Sequence, residues 1–360
     1  MLIWLDILTP KQLYFLVELG RRLETNGHDV FRTTRNYREV TELVKLRGVS
    51  ALSVGKHGGA SLEGKLAAGA QRIEGLSHVI SKLKPDLSIA FASPEAARTA
   101  FGLAIPHYTI NDSPHSTSVA KLTIPLASRL FAPSVIPPKV WMKLGASKEM
   151  MVQYNALDPI VWLKNFIPNP EVLYNLKLDN SKPIVVFRVE ESFASYLLGH
   201  VQEGESVTIP IINKLMDAYD KSVQIVILPR YAEQISIIRA AFHNDVVVAR
   251  DVVDGPSLLF FSSVFVGAGG TMTAEAAMLG TPAISCYPRE PTIVERYLIG
   301  KKLISRSTDS EKTMKKIMEI LDDFENVHKI LQERARTFVS EMEDPVEVIM
   351  KVIENEFPRS

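Results

Sequence analysis

One stretch of the chain concentrates the residue types that hold phosphate. Ser263-Val-Phe-Val266 runs into Gly267-Ala-Gly-Gly270 and then Thr271-Met-Thr-Ala-Glu-Ala-Ala-Met-Leu-Gly280, an apolar strand pattern entering a glycine loop and a helical pattern leaving it. Glycines let a backbone turn and approach a ligand with no Cβ in the way. The helix that follows points free N–H groups, and the positive end of its dipole, over the loop. Gly267, Gly269, Gly270, Thr271 and Thr273 are therefore candidate phosphate ligands, with a plain strand-to-helix turn as the alternative. Counting back three residues from Glu275 reaches Met272, which cannot cap a helix, so a capping box is excluded. With Thr271 as N-cap, Glu275 takes the fourth helical position, on the same face one turn along. A carboxylate there can accept hydrogen bonds from a ribose diol beside a diphosphate; an exposed Glu near a helix N-terminus is the other reading.

Further strand patterns in this half end close to an arginine: Arg188, Arg230, Arg250 and Arg289. Singly each suits a solvated rim, but guanidinium forks at one sheet edge match phosphate oxygens. Arg188, Arg230 and Arg289 are the candidates for offsetting a diphosphate. In the first half, Asp6, Gly55-Lys-His-Gly-Gly59, Ser93-Pro-Glu95 and Asn111-Asp-Ser-Pro-His115 fall at strand ends. Lys56 with its glycines suits an anionic group. Asp112, His115 and His57 are the candidate general bases, ahead of Asp6 and Glu95. Structural roles compete with each: Asp112 and Ser113 suit a turn before Pro114, and Asp6 suits a cap for the helix after Pro10. His28, His78, His243 and His328 have no such setting. Neither the spacing of a helical zinc site nor a P-loop pattern occurs, so no metal and no cofactor are assigned.

These residues need a scaffold, and the composition supplies it. Of 360 residues, 46% are hydrophobic and 23% charged, enough apolar material for two cores and too much for a disordered chain. Cys286 is the single cysteine, which excludes an internal disulfide and suits a reducing compartment. No basic n-region opens the chain and no run of 18 apolar residues interrupts it, so the expectation is a cytoplasmic protein with no transmembrane segment. Acidic and basic residues balance at 41 each, against wholesale nucleic-acid binding. They do not balance locally: residues 1–150 carry 19 Lys and Arg against 12 Asp and Glu, the remainder 22 against 29. Two lobes of opposite sign attract each other, and a basic first lobe also suits an anionic acceptor or peripheral contact with a membrane.

Strand-length apolar runs alternate with amphipathic stretches throughout. Strands are expected over Leu2–Ile7, Asp29–Thr34, Val49–Val54, Asp86–Phe91, Ile105–Ile110 and Arg129–Ala132, then Ile184–Arg188, Val223–Leu228, Val246–Ala249, Val264–Gly267 and Ala283–Cys286. Helices are expected over Lys11–Asn26, Arg38–Arg47, Leu62–Leu83, Glu95–Gly102, Ile209–Tyr219, Ala232–Ala241, Thr271–Leu279 and Thr292–Leu298. Such alternation calls for parallel α/β sheets wound on both faces. The Pro- and Asn-punctuated stretch 166–182 reads as a linker between two domains, 1–165 and 183–345, with 346–360 a helix that could cross back. Two Rossmann-like, doubly wound domains facing a cleft is the expected architecture.

The segment GAGGTMTAEAAMLGTPAISCYP (Gly267–Pro288) resembles the nucleotide-sugar loop of GT-B glycosyltransferases and of the related UDP-N-acetylglucosamine 2-epimerases. Through IWLDILTPKQLYFL, NDSPHSTSVAKLTIPLA, VVFR and that loop, nearly the whole chain resembles an uncharacterised archaeal and bacterial family of predicted GT-B glycosyltransferases. The resemblance implies a GT-B fold, with donor in the second lobe and acceptor in the first. The peptidoglycan N-acetylglucosaminyl transferase places a ribose-binding Glu six residues after its loop glycine, and Gly269 to Glu275 keeps that spacing. The resemblance also implies catalysis without metal, helix dipoles and basic groups stabilising the diphosphate.

Two departures matter. The epimerases carry His-Arg-Arg-Glu-Asn where this chain has Phe187-Arg-Val-Glu-Glu191, retaining Arg188 and Glu190 without the His. The peptidoglycan enzyme's glycine loop after its first strand is replaced by Ile7-Leu-Thr-Pro-Lys-Gln12. The expected function is a metal-independent glycosyltransferase moving a sugar from a nucleotide-sugar, UDP-linked by preference, to an unidentified glycan, lipid-linked or small-molecule acceptor. A 2-epimerase or hydrolase, or a non-catalytic nucleotide-sugar-binding protein, are the alternatives.

Overall fold

The computed structural model describes residues 1–59, 61–189, 208–229, 232–242, 245–268 and 270–358. Two compact units divide the chain: residues 1–162 with 342–360, and residues 163–341. Each is built on one parallel sheet.

The first sheet has seven strands in the order β3-β2-β1-β4-β5-β6-β7. These are β1 (Leu2–Ile7), β2 (Asp29–Asn36), β3 (Leu52–Lys56), β4 (Leu87–Phe91), β5 (His107–Ile110), β6 (Arg129–Pro133) and β7 (Met151–Tyr154). β4 and β5 are buried along their whole length and β1 over all but its first residue. This is why they read as continuous apolar runs rather than alternating ones. The helices α1 (Pro10–Thr25), α2 (Arg38–Leu46), α3 (Leu62–Leu83) and α4 (Pro94–Gly102) connect the early strands. α1 and α4 begin one residue before the expected starts, because Pro10 and Pro94 take the first helical position, where a missing N–H costs nothing. Thr9 and Ser93 cap them. The helix Pro345–Glu356, near the chain's end, completes this unit: its N-cap Asp344 pairs with Arg22 of α1 at 2.8 Å.

The second sheet has six strands in the order β10-β9-β8-β11-β12-β13: β8 (Ile184–Arg188), β9 (Gln224–Leu228), β10 (Val247–Val248), β11 (Val264–Gly267), β12 (Ala283–Ser285) and β13 (Ser305–Arg306). Its core includes Val185, Phe187, Ile227, Val264, Val266 and Ile284, each worth about 1.5–3 kcal/mol when fully buried. Both sheets carry the doubly wound order, so each has a switch point, between β1 and β4 and between β8 and β11. Ligands in such sheets bind beyond the carboxyl ends of the strands at that point. No helix among the described residues is long and apolar enough to cross a membrane.

Candidate functional site

At the switch point of the second sheet, β11 ends on Gly267, which lies opposite Arg188 of β8 in the parallel register. A Cβ on Gly267 would sit 2.6 Å from the Phe265 ring, so any other residue there would have to displace that buried ring. The helix Thr271–Leu279 follows. Its N-cap is Gly270 at φ 99°, with no side chain closing the first turn. Thr271 thus becomes the first helical residue, not the cap, and Glu275 the fifth position rather than the fourth. The positive φ is the reason: it is open to glycine and strained for threonine.

The uncovered turn has a hydroxyl inside it. Thr273 is 3% exposed, and its Oγ1 is buried with no hydrogen-bond partner among the described residues. Glu275, also 3% exposed, lies two residues on. It is thereby a buried carboxyl and not the solvated surface acid of the alternative reading. Gly269 and Arg230 lie outside the described residues, as do Glu190 and His243.

The arginines divide. Nη1 of Arg188 donates to the carbonyls of Leu228 (3.4 Å) and Pro229 (3.1 Å), which anchors it across the end of β9. Arg289 is partly exposed, and its carbonyl accepts from Arg306 at 2.7 Å. Arg306, absent from the sequence reading, also donates to the carbonyl of Tyr287 at 3.2 Å. It thereby fixes the loop after β12. Arg250 is exposed.

At the carboxyl edge of the first sheet, the candidates separate into two clusters. Asp6 is fully buried, and four donors hold it: Arg72 Nη2 at 2.6 Å and Nη1 at 3.0 Å, Thr33 Oγ1 at 2.6 Å and Ser93 Oγ at 2.7 Å. Burial alone would raise its pKa; the guanidinium and the hydrogen bonds outweigh that and hold it below the ordinary value. So occupied, Asp6 neither caps α1 nor serves as a base. Arg72 was invisible as a partner because it comes from the middle of α3. The signal was its place in the buried stripe Ala68, Arg72, Leu76, Ile80, a charge where helical spacing demands an apolar residue.

Asp112 belongs to the second cluster. It ion-pairs with Lys11, whose Nζ also lies 2.7 Å from Asp158. Tyr154 donates to Asp158 at 2.6 Å, and Ser113 to Asp112 at 2.8 Å. Lys11 lies 4.4 Å from the centre of the Phe91 ring. The carboxyl ends of β1, β5 and β7 thus place one cation between two acids. Burial pushes Asp158 up to about 6; Lys11 opposes the rise and Asp112 adds to it. Asp112 stays below its ordinary value because Lys11 outweighs its own burial. His115 lies on the same turn, and burial of its ring lowers its pKa, with Asp112 opposing and Lys11 adding to the fall. Sequence reasoning missed Lys11 and Asp158. The clue to Lys11 was a cation in the first turn of α1, where the helix dipole disfavours it unless an acid is near.

His57 is separate from that cluster. Its ring stacks on Tyr37 at 4.9 Å, and burial, with Arg35 and Lys65 adding, lowers its pKa to about 4. Lys56 is exposed. Among the described residues no three His, Cys, Asp or Glu side chains come together as metal ligands.

Solved structures share this architecture. The UDP-GlcNAc 2-epimerase from Neisseria meningitidis, bound to UDP-GlcNAc, superposes with a TM-score of 0.73 at 14% identity, covering 99% of this chain and 100% of its own. The spinosyn forosaminyltransferase SpnP gives 0.61 at 16%, covering 99% of each chain. At such identities the likeness is one of fold: two parallel-sheet α/β domains of the GT-B kind. In sequence, uncharacterized protein MJ0665 of Methanocaldococcus jannaschii is 31% identical over 356 residues, 98% of both chains. The model of the family described as protein of unknown function (DUF354) matches residues 1–357, and the chain belongs to that family.

Proposed function

We propose that this protein is a glycosyltransferase that takes its sugar from a nucleoside diphosphate sugar, UDP-linked by preference, held at the Gly267–Glu275 segment. The observation that carries the reading is Thr273 Oγ1, buried without a partner among the described residues, in the first turn of a helix that no side chain caps. A buried hydroxyl left unpaired costs about 1–3 kcal/mol, and a diphosphate oxygen would satisfy it at the positive end of the helix dipole. Glu275, buried one turn along, would accept from the ribose diol. Arg289 and the helix dipole would offset the charge that develops on the leaving diphosphate. On the acceptor side a general base takes the proton of the acceptor hydroxyl as its oxygen bonds the anomeric carbon and the bond to the diphosphate breaks.

The Lys11-bridged pair Asp112 and Asp158 favours a second reading. Two acids held at different pKa values, one of them about 6, suit proton transfer on the donor's own sugar, as an epimerase or hydrolase requires.

Calorimetric titration with UDP, GDP, dTDP and CMP, with and without EDTA, tests the donor site. Saturable binding of one nucleotide that survives EDTA and falls roughly tenfold in Glu275→Ala, the scale of a charge-assisted hydrogen bond, is expected. Unchanged affinity in that variant removes Glu275 from the site, and no binding of any nucleotide overturns the reading. Conversion of UDP-GlcNAc alone, with no acceptor, would favour the epimerase or hydrolase.

A further inference from the structure

The pairing of β2 with β3 is broken in one place. Thr34 faces Ser53 and Asn36 faces Lys56, so Arg35 alone spans Val54 and Gly55 of its neighbour. Such bulges re-aim a side chain at a sheet's rim. Here Gly55 takes φ 74°, and the freed carbonyl of Val54 accepts from Arg72 Nε at 2.9 Å. Arg72 is thus consumed by Val54 and Asp6. Arg35 is not: its Nε is buried and has no hydrogen-bond partner among the described residues.

Around that guanidinium the structure assembles donors. Arg35 lies 5.7 Å from the Tyr37 ring centre, and Tyr37 stacks in turn on His57. Nδ1 of His57 accepts from the Gly59 N–H at 3.1 Å, so the neutral ring carries its proton on Nε2 and offers a donor there. The loop lies hard against the first turn of α3: a Cβ on Gly58 would be 2.5 Å from the Gly64 carbonyl oxygen and from the Lys65 Cα. Arg35 and Lys65 both act electrostatically on His57, and Glu95 is the leading acid acting on Arg35, with Arg72 opposing. Two cations, a neutral imidazole donor and a glycine loop suit an oxyanion carrying two charges.

We infer that this edge of the first sheet is a second anion site, taking a phosphomonoester between the Arg35 guanidinium and the His57 ring. The site belongs to the first unit and the nucleotide site to the second, so the inference does not rest on the transferase reading. The test follows the imidazole signals by NMR, His57 being assigned with His57→Asn, while inorganic phosphate is added. Phosphate should shift the His57 signals saturably and raise its pKa from about 4, because the anion offsets Arg35 and Lys65. Arg35→Gln should weaken phosphate roughly tenfold or more, as expected for losing a charge-assisted bond. Arg35→Lys, which keeps the charge should the Gln variant misfold, should weaken it less. UDP affinity should be unchanged in either, so failure of the nucleotide site and failure of this one are distinguishable. Glycerol phosphate and phosphatidic acid vesicles, set against phosphatidylcholine vesicles, separate a soluble from a lipid-borne phosphoryl group, and binding of either should fall in Arg35→Gln. No shift of His57 with phosphate, equal affinity in Arg35→Gln, or equal competition by acetate would each overturn the inference.

Discussion

Thr273 sets two effects of opposite sign on one hydroxyl. Its Oγ1 is a buried group without a partner among the described residues, so Thr273→Val, which keeps the shape and removes the oxygen, should stabilise the fold by about 1 kcal/mol. The same change should weaken nucleotide binding roughly tenfold if the hydroxyl meets a diphosphate oxygen. Thermal unfolding and calorimetry on one sample read both, and a loss of stability would show that the hydroxyl is already satisfied. Asp6 carries a prediction about acid. Its folded pKa lies below the ordinary value, so the stability it adds is complete above about pH 4 and is lost as pH falls toward the folded value. Urea unfolding between pH 6 and 3 should therefore steepen toward acid, and Asp6→Asn, though less stable throughout, should show a weaker slope. The glycine loop was legible in sequence because glycine declares its own backbone freedom. That Thr273 Oγ1 and Arg35 Nε find no partner among the described residues was not, since whether a polar atom is satisfied depends on neighbours that only the fold brings near.

Strand and helix patterns were legible wherever a segment is buried on both faces. Leu2–Ile7, Ile184–Arg188 and Val264–Gly267 match the observed strands residue for residue. Misreadings cluster at sheet edges. β3 was expected over Val49–Val54 and forms over Leu52–Lys56, largely exposed, where apolar content no longer marks the strand. β7 and β13 were absent from the reading: Met151–Tyr154 mixes polar and apolar residues, and Ser305–Arg306 is two residues long. The helix Thr271–Leu279 closes on Gly280 at φ 74°, where a Cβ would lie 2.7 Å from the Gln332 Cα in the helix Phe324–Ser340. Gly280→Ala meets both backbone strain and a backbone clash, each of about 1–3 kcal/mol. Denaturant unfolding should report a loss of at least the smaller figure; a neutral result would mean that the two helices separate easily.

At the scale of the whole molecule, the first unit is made from two pieces of chain, 1–162 and 342–360. The second piece is bound in at both ends: Asp344 pairs with Arg22, and Glu356 with Tyr108 and Arg129. Val346, Ile349 and Ile353 are fully buried. Deleting 343–360 should therefore lower hydrogen-exchange protection across 1–162 while 163–341 keeps its own, and equal loss in both would show that the units unfold together. The interrupted first unit also bears on how the protein is made. A chain leaving the ribosome releases its N-terminal end first, and domains commonly fold in that order. Here the second unit has all its residues once Glu341 has emerged, while the first still awaits the helix that ends at Glu356. Of the two units, the one begun earlier is the one completed later.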